Sequence, residues 1–195
     1  MAKKKLESSL KNMILSLLFI SMGMSAALAY VFKLTEAPIT KSMKAKEIAA
    51  ITEVLPAFDN DPTLSSVEVD GLIFYEAKKG NELVGFAIKT FTDKGFSGRF
   101  TLMVGILPTG IINKVSVLDQ KETPGLGDKM KTKWKDQFNS KDPASFRLDV
   151  KKDGGDVDAI TASTITSRAF CDALKRAHSA FTAKFVNQAD TTKVQ

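Results

Sequence analysis

The chain has 195 residues, 44% apolar and 26% charged, which suits one ordinary domain with a short appendage and is too little for two full ones. Its formal charge of +6 is no nucleic-acid footprint, because Lys3, Lys4, Lys5 and Lys11 against Glu7 supply half of it and the lysines after residue 40 are interspersed with Asp and Glu. Cys171 is the single cysteine, so no internal disulfide, zinc knuckle or Cys-ligated cluster is formed by this chain alone, and helix packing is its expected role.

The first element in chain order is apolar. No charged residue occurs from Asn12 to Phe32, and the run Met13 to Phe32 has the length needed to cross a hydrocarbon core of roughly 30 Å. The basic residues at Lys3 to Lys5 weight its amino side, which predicts a cytoplasmic N-terminus and an exported remainder. A cleaved signal peptide is the competing reading, since Ala27-Leu28-Ala29 resembles a cleavage site, but the apolar run exceeds the roughly 7 to 15 residues of a signal core. Gly23, Ser25, Ala26 and Ala27 form a small-residue patch suited to packing on neighbouring helices. The expected division is a cytoplasmic 1–12, a span over 13–33, a stalk and amphipathic helix over 34–56, and an extracytoplasmic domain over 57–195.

Ile39, Met43, Ile48, Ile51, Val54 and Leu55 recur at helical spacing up to Pro56, and the Asp, Asn, Pro and Ser of residues 57–66 mark a loop. Four runs then suit strands: Leu72 to Ala77, Leu83 to Phe91, Phe100 to Leu107 and Ile111 to Leu118. A short helix is expected over Leu126 to Phe138, a further strand over Ala144 to Val150, and a longer helix over Ile165 to Val186. Phe170, Leu174, Ala177, Phe181 and Phe185 share one face of that last helix and should cover the sheet. The fold class is therefore α+β: a single N-terminal transmembrane helix, then one domain with an antiparallel sheet and flanking helices.

Three segments carry the chemistry. In Asp158-Ala-Ile-Thr161-Ala162-Ser163-Thr164-Ile165-Thr166-Ser167, five threonine and serine hydroxyls crowd the start of the last helix, where free N–H groups and the helix dipole favour a phosphate. A plain helix cap by Thr161 or Ser163, contributing about 1 kcal/mol, explains the same residues. Glu122-Thr123-Pro124-Gly125-Leu126-Gly127-Asp128 is a strand-to-helix turn whose spacing is wrong for a nucleotide P-loop. Gly95-Phe96-Ser97-Gly98 is a loop that lets backbone lie against a flat ligand, or an ordinary loop with a buried Phe. His178 and Trp134 are expected in surface or packing roles.

In this order, the three segments resemble the FMN-binding domain of RnfG, the G subunit of the Rnf electron-transport complex, and of its relative NqrC, from the sodium-pumping quinone reductase. Asp158, Thr161 and Thr164 match the family pattern D-x-x-[ST]-G-A-T, with Ala162 and Ser163 standing where the family usually has Gly and Ala. Glu122 to Gly127 matches E-T-P-G-L-G without a change, and Gly95 to Gly98 resembles G-Y-G-G. The resemblance implies FMN attached covalently through its phosphate to Thr164, which would leave a singly charged diester at the helix N-terminus. Thr161, Ala162, Ser163, Ile165 and Thr166 would bind beside it. The ring would be held by Glu122, Thr123, Gly125, Leu126 and Gly127 together with Gly95, Phe96, Ser97 and Gly98. It also implies a flavin transferase using FAD and Mg²⁺ that recognises Asp158, partner subunits of an Rnf-type complex, and a place in the inner membrane. An NqrC-like subunit and a membrane-anchored FMN-binding regulatory module are the alternatives.

Overall fold

The computed structural model describes residues 9–186, so the Lys3 to Lys5 cluster lies outside the described residues. The chain forms two units, Met1–Ala45 and Lys46–Gln195. Helix α1 (Leu10–Val54) begins in the first and ends in the second. In the first unit every described residue is exposed. A helix that turns Leu17, Phe19, Ile20 and Phe32 outward is apolar all round, the pattern of a segment surrounded by lipid. It is long and apolar enough to cross a membrane. The stalk expected at Leu34 to Pro38 is helical instead: Pro38 removes one backbone donor without ending α1.

In the second unit, the last turns of α1 are followed by strands β1 (Val67–Val69), β2 (Leu72–Lys79), β3 (Glu82–Thr92), β4 (Phe100–Ile106) and β5 (Ile112–Asp119). They pair in sequence order as an antiparallel meander. Period-two alternation divides the side chains between the two faces. Phe74, Ile88, Val104 and Val115 are in register across four strands and face the main core. Tyr75, Ala77, Ala87 and Met103 face the other way, onto Ala50, Ile51, Val54 and Leu55 of the first helix and its exit. The expected amphipathic helix thus buries only its last turn, for Ile39, Met43 and Ile48 are exposed. The compact unit starts at Lys46 and so includes this buried end of α1.

Helix α2 (Thr164–Phe181) closes the main core. Its Phe170, Leu174, Ala177 and Phe181 are buried as the spacing predicts, Cys171 is buried beside them, and Phe185 stacks on Phe86 at 4.0 Å between ring centroids. Burial pushes the Cys171 thiol up to about 12, which suits packing and not reactivity. His178 is partly buried, and desolvation lowers its pKa.

Three elements of the second unit also differ from what the sequence predicts. Among the described residues the sheet has five strands, because Asp70 (φ 52°) and Gly71 (φ 74°) form a two-residue hairpin turn that adds β1. The single helix expected over Leu126 to Phe138 is two 3-10 helices, Gly127–Lys131 and Lys133–Phe138. They are separated at Thr132, whose N–H and hydroxyl both bond back to the Lys129 carbonyl. No strand runs from Ala144 to Val150. Asp142 draws that backbone into turns, its side chain accepting from Ala144 N–H and its carbonyl from Phe146 N–H, and only Val150 bridges, to Val157.

Candidate functional site

Three loops meet at one end of the sheet. The β3–β4 connection is pinched by a bond from the Gly98 amide to the Gly95 carbonyl, leaving Phe96 68% exposed. After β5 the chain turns at Gly125 (φ 77°), with the Leu126 amide bonded to the Thr123 carbonyl, and Leu126 remains 40% exposed. The third loop enters α2 through Ala162, a non-glycine residue at φ 62°. Ser167 shapes this entry. Its buried hydroxyl accepts from the Ile160 amide at 2.8 Å and donates to the Ser163 carbonyl at 3.0 Å. Ser167 lies outside the D-x-x-[ST]-G-A-T pattern, which ends at Thr164. Its signal is a hydroxyl at i+4 from the N-cap, where a side chain can bond back to the preceding turn.

Together the loops enclose a cleft of about 310 Å³. Phe96, Leu126 and Ile165 are its apolar walls, and Ile165 is 50% exposed. Glu122, Thr123, Gly127 and Thr166 line it on one side, with Ala162, Ser163 and Thr164 at the helix entrance. Of the other expected residues, Gly95, Ser97, Gly98 and Gly125 shape the surrounding loops without lining the cleft, and Thr161 is exposed outside it. Asp158 is also exposed, its carboxylate 2.7 Å from the Lys151 ammonium. Trp134 stands away from the cleft, edge-on to Phe138 and Phe170, its indole N–H donating to the Asp158 carbonyl at 2.6 Å.

The hydroxyls at the helix entrance differ in freedom. Ser163 occupies the N-cap position but makes no side-chain cap bond, so the plain capping explanation does not hold. Thr166 is buried and donates to Glu122 Oε2 at 3.0 Å. Thr164, the first helical residue, faces the cleft, and among the described residues its hydroxyl has no hydrogen-bond partner. Helix N–H groups not met by a cap and an unengaged hydroxyl suit an anion, and exposed apolar walls suit a flat ring. Asp128 Oδ1, in the neighbouring turn, is enclosed without a partner among the described residues.

A larger groove of about 420 Å³ lies beyond Ile165. Its charges neutralise one another: Lys94 with Asp172 at 2.5 Å, Arg168 with Asp153 at 2.7 Å and Lys175 with Asp149 at 2.6 Å. The smaller cleft is therefore the better ligand site.

The family model for the FMN-binding domain matches residues 95–179, a range that contains all three loops. The G subunit of an ion-translocating oxidoreductase complex from Pasteurella multocida (strain Pm70) is 35% identical over 164 residues, 75% of this chain and 80% of the relative. The G subunit of the Na(+)-translocating ferredoxin:NAD(+) oxidoreductase complex of Acetobacterium woodii is 36% identical over 129 residues, 62% of each chain. The crystal structure of Shewanella oneidensis NqrC superposes with a TM-score of 0.47 at 19% identity, covering 72% of this chain and 70% of that one.

Proposed function

Because the chain belongs to the RnfG family, the G subunits of ion-translocating oxidoreductase complexes, and carries its FMN-binding domain, we propose that it is the membrane-anchored electron-transfer subunit of such a complex, with FMN joined by a phosphoester to Thr164. The observation that carries this reading is the placement of Thr164, a hydroxyl without a partner among the described residues, at the first turn of α2 and in the wall of an apolar cleft. Among the neighbouring hydroxyls, Thr166 is engaged with Glu122 and Thr161 lies outside the cleft. Ser163 also reaches it, and the spacing from Asp158 favours Thr164 over Ser163.

Each part of the site then has a task. The amides of the first α2 turn stabilise the phosphate charge by about 0.3–1 kcal/mol where exposed and more where partly buried. Phe96, Leu126 and Ile165, large apolar side chains open to solvent, exclude water from the ring they cover. FMN supplies the one- and two-electron chemistry, so no side chain is assigned as a general acid or base. Asp158 is open to the flavin transferase, in whose Mg²⁺-dependent reaction the Thr164 hydroxyl would lose its proton and displace AMP from the pyrophosphate of FAD, and the apolar run of α1 anchors the chain in the inner membrane with the FMN domain outside the cytoplasm.

Intact-mass measurement of the chain expressed with its flavin transferase tests the ester. An adduct of FMN size is expected in the wild type and in Ser163→Ala, and none in Thr164→Val. An adduct that survives Thr164→Val refutes the assignment.

A further inference from the structure

One carboxylate ties the three loops together. Glu122 is 5% exposed, and its two oxygens serve different segments: Oε1 accepts from the Ser97 amide at 3.1 Å and Oε2 from the Thr166 hydroxyl at 3.0 Å. The backbone is shaped around it. A Cβ at Gly95 would lie 2.8 Å from Oε1, and one at Gly127 would lie 2.6 Å from Oε2. Neither glycine has a positive φ, so what holds these positions to glycine is space, with the carboxylate claiming part of it, and not backbone conformation.

The bonding pattern suits a charged side chain. One oxygen of Glu122 meets the Ser97 amide and the other the Thr166 hydroxyl, two donors that an ionised carboxylate accepts without a proton of its own. Among the described residues no Lys or Arg is ion-paired with it, in contrast to the matched pairs around the groove beyond Ile165. An anion that is buried, uncompensated and set in the wall of the cleft acts at low effective dielectric on whatever the cleft holds.

We propose that Glu122 is a positioning residue that registers the three loops and, through its uncompensated charge, makes reduction of the bound flavin harder and keeps its potential low. The inference rests on the FMN reading above. A purely structural brace would alter stability and flavin attachment but leave the potential of attached flavin unmoved.

The experiment uses the full chain in its membrane, flavinylated, as wild type, Glu122→Gln and Glu122→Asp, with each adduct verified by mass and each midpoint potential measured by dithionite titration. Gln keeps the size and can accept from the Ser97 amide while its amide N–H₂ donates to the Thr166 hydroxyl, so the melting temperature should stay near that of the wild type. Its potential should move positive, so that at a fixed applied potential the ratio of reduced to oxidised flavin increases on the order of tenfold. Asp keeps the charge but shortens the reach, so its potential should stay near the wild-type value while its melting temperature falls. An unchanged potential in Gln, or equal shifts in Gln and Asp, overturns the proposal. If Gln does not fold, the infrared difference spectrum of the wild type on reduction decides: a displaced carboxylate stretch supports the charge role and its absence overturns it. A wild-type chain without FMN removes the proposal together with the reading on which it rests.

Discussion

At Ala162 the backbone takes φ 62°, a conformation costing an L-residue roughly 1–2 kcal/mol that glycine adopts freely. Glycine is what the family pattern usually carries there, so this chain tolerates local strain at the entrance to α2. Replacement by glycine relieves the clash but adds disorder to the unfolded chain, which takes back up to about 1 kcal/mol. The net gain for Ala162→Gly is expected at about 0.5–1 kcal/mol, or roughly 1–4 °C in melting temperature for a domain of this size. A calorimetric scan showing no rise would mean that the Ser167 bonds to Ile160 and Ser163 already hold the turn without strain. Individual residues were legible to different degrees. The Asp158 to Thr164 spacing was readable because it lies within one continuous segment, whereas the Glu122 bonds to Ser97 and Thr166 span 25 and 44 residues and no local pattern reveals them.

Whole elements were legible where periodicity was strong and lost where side chains redirected the backbone. β2 to β5 and α2 agree with the expected runs to within about two residues at most ends. β1 is not evident from the sequence although Asp70-Gly71 is a strong hairpin signal, because a three-residue strand carries too little alternation. Gly105 in β4 also carried a readable sign, since glycine inside a strand often marks close backbone approach. A Cβ there would lie 2.1 Å from the Val54 carbonyl oxygen, which also accepts from the Asn113 side chain at 2.7 Å. The obstacle is backbone, which cannot rotate away as a side chain would. Gly105→Ala should therefore lift the end of α1 off the sheet at the upper end of the overpacking range, about 3 kcal/mol, with a proportionate fall in the urea midpoint. A loss under about 1 kcal/mol would show that the helix end shifts freely over β4.

For the molecule as a whole, the boundary that matters is the one inside α1. Residues up to Ala45 turn no described side chain into a core, whereas Ala50, Ile51, Val54 and Leu55 are buried against Tyr75, Ala77, Ala87 and Met103. Polar contacts agree with this division: Glu47 bonds to Tyr75 and to Lys89, the latter at 3.0 Å, and Glu53 to Ser116 at 2.6 Å and Lys135 at 2.9 Å. Tyr75 is held protonated by burial and by the adjoining Glu47, and Lys135 and Ser116 lower the Glu53 pKa against the opposing effect of burial. A chain beginning at Lys46 keeps both cores and should be water-soluble and folded, with a cooperative melt and the wild-type ability to accept FMN. A chain beginning at Ala57 loses Ile51, Val54 and Leu55 from the second face of the sheet. At roughly 1.5–3 kcal/mol for each large apolar side chain, that loss matches much of the ~5–15 kcal/mol by which a domain is stable. Circular dichroism should then show no cooperative transition, and Tyr75 and Met103 would face water. A cooperative melt from the shorter chain would mean that the sheet and α2 suffice by themselves and that the α1 terminus is an accessory to the domain.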